Sequence, residues 1–163
     1  MRQIDPATLL AQRLAIAVPA LLLGGAYISQ YAFGLFPCEM CWWQRYPHFV
    51  ALVLGLVAAF ASAGPAGLRR GTIALAALAI LFSGLIGGFH AGVEYGWWEG
   101  ITGCASHVAS GGNALDNIMN APLVRCDVAP WSLFGISLAG WNFLISGAAG
   151  CAILALLARR KTA

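Results

Sequence analysis

Apolar residues gather into four long stretches with little polar punctuation between them. Residues 14–36 carry no charge, residues 71–93 hold His90 near their end as the only ionisable side chain, and residues 131–158 are again uncharged. Each is long enough for the roughly 20 helical residues that cross a hydrocarbon core. The remaining stretch is less clean. Residues 49–63 give only 15 apolar positions, so a span there must recruit the preceding turns, from Cys41 to His48. That places Arg45 at or just below one membrane interface, where Trp42, Trp43 and Tyr46 suit an aromatic belt and an arginine snorkels to water. The pattern therefore predicts an all-α membrane protein: a bundle of four transmembrane helices over about 14–36, 41–63, 71–93 and 131–158, with a long outer loop over about 94–130 between helices 3 and 4. Gly64, Pro65, Ala66 and Gly67 read as a turn.

Composition narrows the solvent. The chain has 163 residues, enough for one domain, with 60% hydrophobic and only 9% charged side chains. So few charges do not cover a water-facing surface. Disorder, a coiled coil and a nucleic-acid-binding module each need charge that is missing here.

The charges that exist set an orientation. Arg2 and Arg13 precede the first span, Arg69 and Arg70 lie in the second connection, and Arg159, Arg160 and Lys161 follow the last span. The other side holds Glu39, Glu94, Glu99, Asp116 and Asp127, with Arg45 and Arg125. By the positive-inside rule both termini are cytoplasmic and the long loop faces outward. The first apolar run exceeds the 7 to 15 residues of a signal-peptide core, so it is read as a retained span. Within the outer loop, Leu115, Ile118 and Met119 share one helical face opposite several Asn and Asp residues, which suits a short helix on the membrane surface or a polar loop.

Five cysteines punctuate this topology. Cys38, Cys41, Cys104 and Cys126 fall on the outer side, in an oxidising compartment if the membrane is the bacterial inner one, whereas Cys151 lies inside the last span and reads as a small buried hydrophobe. Cys38 and Cys41 form a C-x-x-C at the outer start of the second span, where Pro37 suits a first helical turn and the helix dipole favours a thiolate. Arg45, four residues past Cys41, shares its helical face provided Pro47 does not break the first turns. Three readings of the cysteines compete. A Cys104–Cys126 bridge could staple the outer loop by about 3 kcal/mol. A tetrahedral zinc site would want a second closely spaced pair, which is lacking, so no metal is expected. Redox exchange suits a C-x-x-C best, because so short a loop restrains little chain and strains its bond.

Electrons leaving such thiols need an acceptor. The chain has neither a haem-attachment C-x-x-C-H nor a G-x-G-x-x-G fingerprint. A lipid-soluble acceptor is left, and a quinone ring fits between Arg45 and His90 beside Cys41, since ionisable groups at membrane depth are functional candidates.

The residues carrying these features also match a known pattern. P-C-E-M-C-W-W-Q-R at 37–45, H-A-G-V-E at 90–94, Cys104, and R-C-D-V-A-P-W-S-L-F-G-I-S-L-A-G-W-N at 125–142 resemble the disulfide bond formation protein B family over nearly the whole chain. The resemblance implies an inner-membrane thiol oxidase, multi-pass, that passes electrons to ubiquinone or menaquinone and reoxidises a periplasmic thioredoxin-like partner of the DsbA type. It further implies that Cys104 forms the mixed disulfide with that partner, that Cys126 is its mate, that Cys38 exchanges with this pair, and that Cys41 delivers electrons to the quinone with Arg45 and His90 beside the ring. Two alternatives stand beside it: a vitamin K epoxide reductase-like enzyme, whose quinone-proximal C-x-x-C is expected late in the chain, and a non-enzymatic scaffold stapled by disulfides.

Overall fold

The computed structural model describes residues 5–60, 65–102, 105–106 and 123–159. Four helices dominate them: α1 (Pro6–Ala32), α2 (Glu39–Phe60), α3 (Ala66–Glu94) and α4 (Leu138–Ala158). Among the described residues, α1, α3 and α4 are long and apolar enough to cross a membrane; α2 is the fourth helix of the bundle and carries Glu39, Gln44, Arg45 and His48. The bundle is therefore mostly helical, as expected. Cys104, the predicted surface helix around Leu115 and the terminal cations Arg2, Arg160 and Lys161 lie outside the described residues.

Helix limits follow capping rather than apolarity. α1 begins well before its uncharged stretch, because Asp5 accepts the Thr8 backbone N–H at 2.9 Å and the Thr8 hydroxyl at 2.5 Å, with Pro6 entering the first turn. α2 runs through Pro47 without breaking, so Cys41 and Arg45 do stand one turn apart. α3 starts at Ala66, inside the segment expected to be a turn, with Pro65 at its N-cap and no side-chain cap. α4 begins at Leu138 and not at Trp131, because the intervening residues form a two-residue hairpin. Its strands β3 (Ser132–Leu133) and β4 (Ile136–Ser137) pair antiparallel around Phe134 and Gly135, both in the left-handed region at φ 53° and 77°. Ser137 then caps α4 by accepting the Gly140 N–H at 3.1 Å. Tyr95, just past α3, ties the hairpin down: its hydroxyl donates to the Gly135 carbonyl and accepts the Ser137 N–H, each at 3.1 Å. A second short pair, β1 (Ala105–Ser106) with β2 (Leu123–Val124), is antiparallel, and β2 ends two residues before Cys126 in the chain.

α3 is the central helix, packed along both α2 and α4. The core between the helices is built largely from small residues, Ala11, Ala15, Ala51, Ala58, Ala76 and Ala77, closed by Ile73, Ile80 and Ile153. Small side chains let helix backbones approach, which is the packing that matters where the surrounding medium is itself apolar. Large apolar side chains point outward instead, among them Leu21, Ile28, Val53, Phe60, Phe82 and Leu85. A water-facing protein would not expose so continuous an apolar belt. Cys151 also faces outward on α4, correcting the expectation that it is buried: the inner face of that helix is taken by Gly150, Ile153 and Leu157.

The two ends of the bundle differ in chemistry. At one end Arg70 bonds the Thr8 hydroxyl at 3.1 Å, reaches the Leu157 carbonyl, and lies 3.8 Å from Asp5, so the starts of α1 and α3 and the end of α4 meet there. The opposite end gathers the thiols. The Thr8 bonds hold the Asp5 carboxyl below its ordinary value of 3.8. Asp5→Ala should therefore cost about 1 kcal/mol at neutral pH. A depressed carboxyl stabilises the fold only while ionised, so the difference in Tm between wild type and Asp5→Ala should hold above pH 3.8 and close as pH falls below it; thermal melts across that range check the sign.

Candidate redox site

Cys38 sits at the entrance to α2. Its sulfur accepts the Cys41 backbone N–H at 3.3 Å and its carbonyl accepts the Trp42 N–H at 3.2 Å, so the first cysteine of the C-x-x-C works as the helix cap. The two sulfurs are 3.1 Å apart. Cys38 is buried, and beside it lies Cys126, whose sulfur accepts the Thr102 hydroxyl at 3.2 Å. The Cys38 and Cys126 sulfurs and a ring nitrogen of His90 all fall within 4.8 Å of one another. Residues 88 positions apart in the chain thus meet at one point, and the structure brings four of the sequence-predicted site residues together: Cys38, Cys41, Cys126 and His90. Cys104 lies outside the described residues.

The hydrogen bond to Cys41 and burial push the Cys38 thiol up to about 12. Burial likewise raises the Cys126 thiol, against the Met40 backbone N–H and the Thr102 hydroxyl, which lower it.

Arg45 is one turn below Cys41 and buried. Its guanidinium donates to Gln30 Oε1 at 2.6 Å and to the Ala26 carbonyl at 3.3 Å, and it lies 4.9 Å from the ring centroids of both Tyr27 and Trp42. Stacking between two aromatic faces offsets part of the cost of holding a charge away from water. Trp42, which read from its position as an interface anchor, therefore also holds the arginine. Gln30 and Tyr27 were not singled out by the sequence; an amide and a tyrosine near the end of an otherwise apolar helix were the available signal.

His90 lies 3.2 Å through Nε2 from the Cys126 carbonyl, 3.6 Å from the Cys38 sulfur and 3.8 Å from Glu94, whose carboxyl is almost fully buried. Below it runs a polar cluster inside the bundle: Gln44, Ser83, Asn142, His48 and Ser146 are joined by hydrogen bonds of 2.7 to 3.4 Å. None of these five was evident beforehand. Gly87 makes room for the cluster, since a Cβ there would lie 2.9 Å from the Ala139 carbonyl and 3.0 Å from the Asn142 amide nitrogen.

Two cavities meet at the thiols. A larger one, about 410 Å³, opens between α1 and α4 and is walled mostly by apolar side chains, with Cys41, Arg45, His48, His90 and Asn142 on its polar side. A smaller one, about 310 Å³, is lined by Cys38, Arg125, Val124 and Pro130. Cys41, His90 and Glu94 border both.

The sequence profile of the disulfide bond formation protein DsbB family matches residues 9–158. The chain belongs to that family. DsbB-family members are disulfide-forming oxidoreductases, and the expected resemblance is met. Similar proteins include disulfide bond formation protein B of Verminephrobacter eiseniae (strain EF01-2), 34% identical over 90% of this chain and 83% of its own length. Disulfide bond formation protein B 2 of Pseudomonas syringae pv. syringae (strain B728a) is 32% identical over 80% of this chain and 77% of its own length. Disulfide bond formation protein B of Aromatoleum aromaticum (strain DSM 19018 / LMG 30748 / EbN1) is 32% identical over 89% of each chain. No solved structure matches the chain.

In the reduced protein, Cys38 should alkylate slowly at pH 8, because its thiol stays protonated until far higher pH. Removing the hydrogen-bonding sulfur in Cys41→Ala takes away the largest cause of that rise, so Cys38 should then react about tenfold faster or more. Mass-spectrometric alkylation kinetics measure this; equal rates would contradict the assigned cause.

Proposed function

We propose that the protein is an inner-membrane thiol:quinone oxidoreductase that reoxidises a periplasmic DsbA-type, thioredoxin-like dithiol protein. The observation that carries this reading is the position of the C-x-x-C: Cys41 lines a large apolar cavity, while the Cys38 sulfur lies within 4.8 Å of the Cys126 sulfur. Thiols so placed can exchange with a loop cysteine on one side and meet a lipid-soluble acceptor on the other.

The topology proposed with it has four membrane spans, both termini in the cytoplasm and the cysteines on the periplasmic side. Arg69, Arg70 and Arg159 at the end of the bundle opposite the thiols support this orientation. The span α2 is the least apolar because it carries the chemistry.

The larger cavity fits a quinone in size, within the roughly 300 to 1,000 Å³ usual for small-molecule sites, and in character, apolar walls with a few polar groups on one side. A bound quinone would supply a sink for two electrons and two protons. Arg45 would hold positive charge beside it, oriented by Gln30 and Ala26 with two of its five donors so engaged. Cys41 and His90 line the same wall.

Electrons balance over three exchanges. The partner's two thiols reduce the Cys104–Cys126 disulfide, Cys104 forming the mixed disulfide, and leave the partner oxidised. The resulting thiols reduce the Cys38–Cys41 disulfide through Cys38, which lies within reach of Cys126. Return of the Cys38 and Cys41 thiols to the disulfide releases two electrons and two protons, for which a quinone bound beside Cys41 would be the acceptor. The early position of the C-x-x-C and the family membership both speak against the vitamin K epoxide reductase-like alternative.

Purified full-length protein supplied with quinone should oxidise a reduced DsbA-type protein. Cys41→Ser should abolish quinone reduction, and Cys104→Ser should no longer trap the partner; full turnover in the first or normal trapping in the second would refute the roles assigned. Arg45→Ala should raise the apparent KM for quinone about 10- to 100-fold, as loss of a hydrogen bond from a charged group does, while an unchanged KM would remove Arg45 from the site.

A further inference from the structure

We infer that Gln44 is a positioning residue that holds His90 as the neutral tautomer with its proton on Nε2, so that the ring donates a hydrogen bond toward the Cys38 sulfur and resists taking up a metal ion. A backbone carbonyl has no proton to give. Gln44 Nε2 lies 3.1 Å from the Met40 carbonyl, which identifies it as the amide nitrogen. The other end of the same amide agrees: Gln44 Oε1 accepts from Asn142 Nδ2 at 2.9 Å, and that nitrogen in turn lies 3.2 Å from the Ser83 carbonyl. Two main-chain carbonyls, on α2 and α3, therefore orient both amides.

Gln44 Nε2 is also 2.9 Å from His90 Nδ1. A donor facing that nitrogen requires a lone pair there, so the ring proton resides on Nε2. Nε2 meets the Cys126 carbonyl, which can only accept, at 3.2 Å, with the Cys38 sulfur at 3.6 Å and Glu94 Oε1 at 3.8 Å. Both nitrogens of the ring thus demand the same tautomer. A proton on Nδ1 would face the Gln44 N–H groups, so the amide favours the Nε2–H tautomer over the Nδ1–H one.

Two consequences follow for the thiols. When Cys38 carries negative charge, as nucleophile or as leaving group, the His90 N–H is already aimed at it; this consequence rests on the exchange role proposed above for Cys38. The second is independent of that role. In the reduced protein the sulfurs of Cys38 and Cys126 and a His90 nitrogen lie within 4.8 Å, a spacing that suits a zinc-like ion. Binding such an ion through Nε2 would force the proton onto Nδ1, where the Gln44 amide opposes it. Metal-bound histidines ordinarily donate their other N–H to an acceptor, and here they would meet a donor. Gln44 thus keeps a buried thiol cluster open for exchange.

The test uses full-length protein in nanodiscs, reduced and anaerobic, with ¹⁵N-labelled histidine; His90→Asn identifies the His90 signals. Wild-type His90 should give the neutral Nε2–H pattern. Gln44→Glu replaces the donor by an acceptor, so the proton should move to Nδ1 and Cd²⁺ affinity, read from thiolate-to-cadmium absorbance, should rise about tenfold or more. A wild-type Nδ1–H tautomer would overturn the inference without need of any variant. So would a Gln44→Glu protein, folded by its melting transition, in which tautomer and Cd²⁺ affinity are both unchanged. Neither measurement contains quinone or partner protein, so failure of the proposed oxidase function leaves these outcomes readable on their own.

Discussion

A polar side chain inside an apolar bundle has no water to turn to, and every other feature of this molecule depends on how that constraint is met. Most of the interior meets it by avoidance, with alanine, glycine and isoleucine between the helices. At the thiol end avoidance is impossible, because exchange chemistry needs ionisable sulfur and a nearby charge. Polar residues there partner one another. Arg45 is held by Gln30, Ala26 and two aromatic rings, and His90 is held between Gln44 and the carbonyl of Cys126.

The helix packing makes those partnerships possible. Gly87 lets α3 come close enough to α2 and α4 for Gln44, Ser83 and Asn142 to meet. Gly92 does the same nearer the end of α3, where the Trp98 indole occupies the space a Cβ would take and its N–H reaches the Phe89 carbonyl at 2.9 Å. Tyr95 fixes the hairpin, and the hairpin sets where α4 begins and so how deep Asn142 sits. Packing and chemistry are thus linked by a short series of contacts, all within the thiol end of the bundle.

That end is also where two cavities meet. Cys41 lines both, and its hydrogen-bond partner Cys38 lines the smaller one. The rest of the bundle acts as a rigid frame, its large apolar side chains turned outward and its small ones inward.

The sequence by itself determined the helical membrane class, the four helices among the described residues, the placing of Cys38, Cys41 and Cys126 at one end, and the family. These follow from local properties: uncharged length reports the solvent a segment meets, and a C-x-x-C four residues before an arginine reports one helical face. The tertiary structure alone decided the partners. It set Cys126 against Cys38, gave Arg45 to Gln30 and Tyr27, turned Cys151 outward and revealed the network around Gln44 and Asn142. The physical reason is that a hydrogen bond between helices depends on their relative depth and rotation. Those are settled by small residues packing across the interface, and an apolar stretch reads the same whichever way it is turned.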